Sequence, residues 1–246
     1  MATSFAECSL AQLYKEKDKN GQFRGGPAWY MARGLGMRWM GVLFSLFLLI
    51  AYGLIFNTVQ ANSVAHAMRY AFQCPEWITG ATLAAFALLA ISTGLKGIAR
   101  LMQWLVPIMA LLWVAASLVV AALHFEQVPG VIASIFKSAF GWREVASGAL
   151  GYTLSQALMA GFQRGMFSNE AGMGSTPNVA AAASSWPPHP AAQGIVQMIG
   201  VFMDTVIICS ASAMILLLAG PVPHTSDAVG IQFLQQALVN LTGGWG

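Results

Sequence analysis

GFQRGMFSNEAGMGSTPN, residues 161–178, places an arginine, a glutamate, two asparagines and four glycines in a chain that is otherwise apolar almost from end to end. The stretch reads in three ways: as a cytoplasmic loop, as a strained site on a broken membrane helix, or as a glycine loop that grips phosphate. The phosphate reading fails, because GxGxxG and GxxxxGK[ST] are both absent and no strand-like run precedes it. Gly161 and Gly165 bracket Phe162, Gln163 and Arg164, so the backbone between them is free to leave helical geometry. A helix broken in lipid exposes unpaired amides and carbonyls and points half-helix dipoles at the gap. Secondary transporters hold a zwitterion and its coupling cation in this way. Such irregular backbone survives only where it is buried in protein or lines a cavity. The Gly161–Gly165 spacing also suits close helix packing of the GxxxG kind. Downstream, SNEAGMGSTPN can cap and turn the helix, with Asn169 and Glu170 meeting a neighbouring loop.

The composition decides the class. Of 246 residues, 57% are hydrophobic and 9% charged, with a mean hydropathy of +0.64. A soluble domain carries about 25% charged residues, so this chain lacks the polar surface to face water and is expected to be a membrane protein. The net charge of +3 is spread without a basic face, and no nucleic-acid partner is expected. Cys8, Cys74 and Cys209 show no CxxC spacing, which indicates neither a disulfide framework nor a zinc site. The opening ATSFAECSLAQLY, with Glu7 early, does not read as a signal peptide. HExxH is absent, as is GxSG with an in-helix histidine partner, so an intramembrane protease, and enzyme chemistry generally, is not expected.

Charges mark the spans. A charge near the bilayer centre costs roughly 2.5–3.5 kcal/mol on insertion scales, and residues 39–68, 77–95, 101–125, 145–163 and 205–226 carry none. Even the shortest of these gaps makes a helix of about 28 Å, close to a hydrocarbon core of about 30 Å. Five transmembrane helices are therefore expected near 39–64, 77–95, 101–123, 147–166 and 192–219, in a single all-α membrane domain over 1–246. The runs are too long and too uniformly apolar for barrel strands. Lys15, Lys17, Lys19, Arg24, Arg33 and Arg38 make 15–38 a cytoplasmic basic loop. Lys96, Arg100 and Arg164 then also fall inside, against Arg69, Lys137 and Arg143 outside. Residues 128–143 read as a short helix in the outer interface, and SSWPPHPAAQG, 184–194, as a proline-punctuated cytoplasmic turn. Ser226 is a candidate N-cap for an amphipathic helix.

Polar groups inside the spans need explanation. Asn57, Thr58, Gln60, Asn62, Ser63 and His66 fall within one ten-residue run; Gln60 and Ser63 share a helix face, as do Asn62 and His66. They serve either as hydrogen bonds between helices or as the wall of a water-filled pathway. His66 reads as an outer-boundary residue. Asp204, in QMIGVFMDTVIIC, is the acid deep inside a span, which makes it a candidate functional residue, with a structural partnership to a helix end or to Arg164 as the alternative.

GFQRGMFSNEAGMGSTPNVAAAA closely resembles the most distinctive stretch of the alanine or glycine:cation symporter family, the sodium:alanine symporters. FRGGPAWYMARGLG (23–36), VQANSVA (59–65) and VQMIGVFMDTVIICSASA (196–213) are similar to that family in matching order. The resemblance implies a leucine-transporter-like bundle of two inverted five-helix repeats, with helices 1 and 6 broken around the substrate. It also implies sodium-driven uptake of alanine or glycine across the bacterial inner membrane, with no cofactor and with Na+ as co-transported cargo. On that plan the five spans match helices 3 to 7, and the chain is expected to be an internal piece, inactive alone, without helix 1, most of helix 2 and helices 8 onward. The break in helix 6 falls around Met159, Ala160, Gly161, Phe162, Gln163 and Gly165, with Gln156 one turn earlier and Gln60 and Asn62 facing it as substrate contacts. Phe162 and Met159 offer an apolar wall against larger side chains. Asn169, Glu170, Asp204 and Arg164 are the candidates for gating or coupling. A non-transporting membrane fragment or scaffold subunit is the competing reading.

Overall fold

Among the described residues, three helices are long and apolar enough to cross a membrane: Arg38–Phe72, Gly97–Leu123 and Pro190–Leu218. Between 6% and 17% of their most apolar windows is buried, so most of that surface faces outward, as lipid contact requires. The computed structural model describes residues 1–19, 21–139, 159, 161, 163, 165, 167–220 and 230–243. The chain divides into two compact units, 1–57 with 151–207 and 58–150 with 208–246.

The first unit begins with helix α1, Ala2–Leu13, followed by a two-stranded antiparallel hairpin of β1, Glu16–Lys17, and β2, Phe23–Arg24. The sequence reading treats this segment as loop. Asp18 N–H donates to the Gln22 carbonyl at 2.7 Å, and Gly21 N–H to the Asp18 carbonyl at 2.9 Å, closing the turn. Helix α2, Pro27–Gly34, precedes α3, Arg38–Ile50. The backbone then winds as a π-helix over Ala51–Phe56 before α4, Asn57–Phe72, completes the run within the second unit. The run passes 64 because its last turns carry His66 and Arg69, polar side chains that reach beyond the hydrocarbon.

Short α8, Thr176–Ala182, and α9, Pro190–Met203, pack against α1. The contact is made by small side chains: Ser4, Cys8 and Ala11 on α1, with Ala180 and Ala181 opposite, are buried. Gln12 closes the end of α8, its Nε2 donating to the carbonyls of Ala180 (2.5 Å) and Ala183 (2.9 Å). Lys15 Nζ adds a bond to Ala183 O at 3.2 Å, putting a cation where helix carbonyls are unpaired. On α9, Gly194 faces α1 so closely that a Cβ there would stand 2.8 Å from the Phe5 carbonyl oxygen.

In the second unit, α5, Glu76–Ser92, and α6, Gly94–Leu123, meet at Gly94, whose φ of +71° suits a residue without a Cβ. Helix α6 therefore starts earlier than 101 and carries Lys96 and Arg100 on its first turns, with Arg100 exposed. Helix α7, Val128–Ala139, follows. A second π segment, Asp204–Cys209, leads from α9 into α10, Ser210–Leu218. Helix α10 packs on α6 through Val120, Ile215 and Leu218. Trp113 Nε1 donates to Ser212 Oγ at 3.0 Å, and Ser117 Oγ to the Ala211 carbonyl at 3.1 Å. Helix α11, Ile231–Thr242, begins at Gly230 and ends at the left-handed Gly243; Ser226 lies outside the described residues.

The Gly194 contact is testable against a control on the same helix, since nothing lies within 4 Å of a Cβ placed at Gly200. Gly194→Leu should lower the thermal midpoint of the detergent-solubilised protein by the equivalent of about 1–3 kcal/mol. Gly200→Leu should leave it unchanged; equal midpoints for the two variants would contradict the packing described.

Candidate functional site

The polar stretch quoted first organises the first unit. Among its described residues, Met159, Gly161, Gln163, Gly165 and 167–169 are α-helical, and the chain turns after Asn169. Three left-handed residues make the turn: Glu170 (φ +52°), Gly172 (+90°) and Gly174 (+79°). At Gly174 the glycine is required twice over, by this φ and by the Phe44 ring and Pro27 Cγ, which fill the space a side chain would enter.

Several residues around this turn find a partner on a different helix. Ser168 Oγ donates to Asp204 Oδ2 at 2.6 Å, and Asn169 Nδ2 donates to Thr205 Oγ1 at 2.8 Å. The Thr205 hydroxyl in turn donates to the Val201 carbonyl at 2.9 Å. Gly172 N–H donates to Glu7 Oε2 on α1 at 3.2 Å. Within the turn, Ser175 Oγ donates to the Glu170 carboxylate, and Met173 N–H to the Glu170 carbonyl at 3.1 Å. An aromatic stack joins the same turn to the first π segment: the Phe56 ring lies 4.8 Å from Phe167 and 4.6 Å from Tyr52, nearly parallel to both. The Tyr52 hydroxyl is buried close to Ser175 and Glu170 but in hydrogen-bonding geometry with neither. Asn169 Oδ1 is likewise buried without a partner among the described residues.

Asp204 sits at the first residue of the second π segment, in the middle of the 29-residue helical run Pro190–Leu218. A π turn shifts the helix register and disturbs its carbonyl ladder, a feature frequent at functional positions. No group of three or more His, Cys, Asp or Glu side chains able to hold a metal occurs among the described residues.

Asn169 and Asp204 thus take part in two neighbouring hydrogen bonds between the same pair of helical segments, whereas Glu170 bonds Ser175 within its own turn. Arg164, Gln156, Ala160 and Phe162 lie outside the described residues. Met159, Gly161, Gln163 and Gly165 are placed on a helix, and nothing described lies within 4 Å of a Cβ at Gly161 or Gly165, so the GxxxG spacing finds no packing partner among the described residues. Gln60 and Asn62 are exposed on α4 in the second unit and make no side-chain hydrogen bond among the described residues. Their neighbours Asn57 and Ser63 bond their own helix, to Gly53 O (3.4 Å) and Val59 O (2.9 Å). His66 lies at the end of α4, 3.5 Å from Glu76, whose carboxyl is held below its usual range chiefly by the hydrogen bond from Arg69 and further by the charges of His66 and Arg69. Glu7, Ser168, Thr205, Ser175 and the aromatic stack go unnoticed in the sequence reading. Glu7 had a usable signal, an acid inside the apolar helix ATSFAECSLAQL, whereas Ser168 and Thr205 stand out only once their partners are known.

The Ser168–Asp204 bond should register in a double-mutant cycle. Ser168→Ala and Asp204→Asn should show a coupling of roughly 0.6 kcal/mol, the average for bonds between membrane helices. Strict additivity of the two changes in thermal unfolding would remove the pair.

The model of the sodium:alanine symporter family matches residues 1–246. The chain is 68% identical over 246 residues to the uncharacterised transporter YaaJ of Escherichia coli, covering 100% of this chain and 52% of that protein. It is 45% identical over 244 residues to the probable sodium/glutamine symporter GlnT of Bacillus subtilis, covering 99% and 49%. It is 39% identical over 236 residues to the sodium/alanine symporter AgcS of Methanococcus maripaludis, covering 94% and 51%. The chain therefore spans about half the length of these curated relatives. They are transporters rather than enzymes, and the three helices of membrane length and apolarity among the described residues fit a multi-pass membrane protein. By a match that runs from its first residue to its last, the chain belongs to the sodium:alanine symporter family.

Proposed function

We propose that this chain forms part of a sodium-coupled symporter for small neutral amino acids, alanine or glycine, working by alternating access. The observation that carries the reading is the family match over 1–246, to which the sodium/alanine symporter of Methanococcus adds a named relative. A zwitterion in a membrane needs donors for its carboxylate, acceptors for its ammonium group and a cation to balance the assembly. We assign these contacts to Met159, Ala160, Gly161, Phe162, Gln163 and Gly165, with Gln156, Gln60 and Asn62 as side-chain contacts. Met159, Gly161, Gln163 and Gly165 are helical in the structure, so the expected break is not open at these described residues and the helix would have to open there to bind. Phe162 and Met159 form the apolar wall that limits substrate size. Asn169, Glu170, Asp204 and Arg164 gate and couple. Hydrogen bonds between membrane helices average only about 0.6 kcal/mol, so bonds such as Ser168–Asp204 can open and re-form through a transport cycle. The 45% identity to a probable sodium/glutamine symporter favours a second reading, in which a larger amide side chain is accepted.

Because the chain spans half of each relative, the test is a chimera in which it replaces the matching half of the Escherichia coli YaaJ protein. Proteoliposomes carrying the chimera should take up radiolabelled alanine when sodium is supplied outside, whereas the 246-residue chain alone should not. Uptake indifferent to sodium would overturn the coupling, and absence of uptake would favour a non-transporting membrane protein. Competition by unlabelled glutamine as strong as by glycine would move the substrate assignment to the second reading. Gln156→Ala and Phe162→Ala should each reduce uptake by about tenfold, equivalent to about 1.4 kcal/mol, with normal insertion. Unchanged uptake in both would displace the pocket, and normal sodium dependence in Asp204→Asn would leave that acid a structural role.

A further inference from the structure

A groove of about 540 Å³ lies between α2 and the first turns of α3, away from the network just described. Its walls are of two kinds. Ala28, Ala32 and Val42 are small or apolar, while Trp29, Arg33 and Arg38 bring an indole edge and two guanidinium groups. Arg33 is held by the Glu16 carboxylate, which also accepts from Trp29 Nε1 at 3.3 Å. Arg38 has no acidic partner among the described residues. The two arginines and Glu16 leave a net positive charge at the groove, and the whole 15–38 segment holds six basic residues against two acidic ones.

The level of the groove in the bilayer follows from the chain itself. Arg38 is the first residue of the apolar run Arg38–Phe72, and Trp39, 66% exposed, stands beside it as an interfacial anchor. The excess of basic residues puts this end on the cytoplasmic side, where anionic lipid headgroups concentrate. A molecule filling the groove therefore presents negative charge to guanidinium at the headgroup level and apolar atoms to Val42 where hydrocarbon begins.

We infer that this groove seats the headgroup of an anionic phospholipid of the cytoplasmic leaflet. Arg38 meets the phosphate, Arg33 is aimed by Glu16 at the same group, and Val42 together with exposed Leu46 guides the first acyl methylenes. The site is independent of which amino acid is carried. Guanidinium forks match phosphate geometry where ammonium acts as a point charge. A basic groove on the cytoplasmic side of membrane helices is a recurrent place for such headgroups.

The experiment places the full 246-residue chain in nanodiscs of phosphatidylcholine mixed with phosphatidylglycerol and counts bound lipids by native mass spectrometry. Phosphatidylglycerol adducts should exceed phosphatidylcholine adducts. Arg38→Gln and Arg33→Gln should each reduce the former by about fivefold, the weight of one basic residue at an anionic surface. Arg38→Lys should retain part of the preference, and Ala32→Leu, which fills the groove and keeps every charge, should lower it too. Helical content measured alongside must stay unchanged. Equal phosphatidylglycerol adducts in wild type and the double arginine variant would overturn the site. Loss of both lipids together would make the effect unspecific, and displacement by soluble glycerol phosphate would assign the groove to a free phosphate instead.

Discussion

In an apolar solvent a polar side chain without a partner is costly, and the first unit is arranged around meeting that demand at one turn. The helical residues 167–169 and the turn that follows them reach three other elements by hydrogen bonds or ring contact: α1 through Glu7, the first π segment through Phe56, and the α9 run through Asp204 and Thr205. Removing the turn would leave a carboxylate in the middle of the Pro190–Leu218 run without its serine donor. The left-handed backbone at 170, 172 and 174 is what lets so short a segment face three neighbours. Chain geometry, polar satisfaction and the irregular helix at Asp204 are thus one feature seen at three levels.

The same demand explains where the helices deviate from regularity. Both π segments, Ala51–Phe56 and Asp204–Cys209, occur in long apolar runs, and both stand where the polar turn touches those runs. Elsewhere the bundle is held by small residues that bring backbones close, such as Gly194 against Phe5. Side-chain bonds to carbonyls add to this, as with Ser117 to Ala211 and Gln12 to the end of α8. Exposed leucines, phenylalanines and tryptophans cover the remaining faces, which in a membrane is the resting condition of such surface.

Much of this was legible from residue order, and for identifiable reasons. The charge-free gaps overlap the three long helices Arg38–Phe72, Gly97–Leu123 and Pro190–Leu218, since the cost of a buried charge is large, while the expected span 147–166 lies largely outside the described residues. The NEAGMGS segment pointed to the family because its glycines and polar residues are an improbable set in an apolar chain. Helix ends were less legible. The Arg38–Phe72 run and α6 continue through His66, Arg69, Lys96 and Arg100, because a polar or basic residue near a membrane boundary does not end the helix. The hairpin at 16–24 went unread although Asn20-Gly21 is a hairpin signal, because a basic segment beside a membrane helix reads first as loop. Ser168 and Thr205 could not be singled out, since a hydroxyl on an apolar helix carries no mark of its partner.

In the proposed transport cycle, residues 167–172 latch membrane helices, and sodium and amino acid together shift that latch. Thiol labelling at that turn tests it most directly. In the chimera with Escherichia coli YaaJ, with Cys8, Cys74 and Cys209 replaced by serine, Ala171→Cys offers a reporter within the turn that removes none of its hydrogen-bonding side chains. The account predicts a maleimide labelling rate that changes several-fold when sodium and alanine are added together, and does not change with potassium. An identical rate under all three conditions would contradict it.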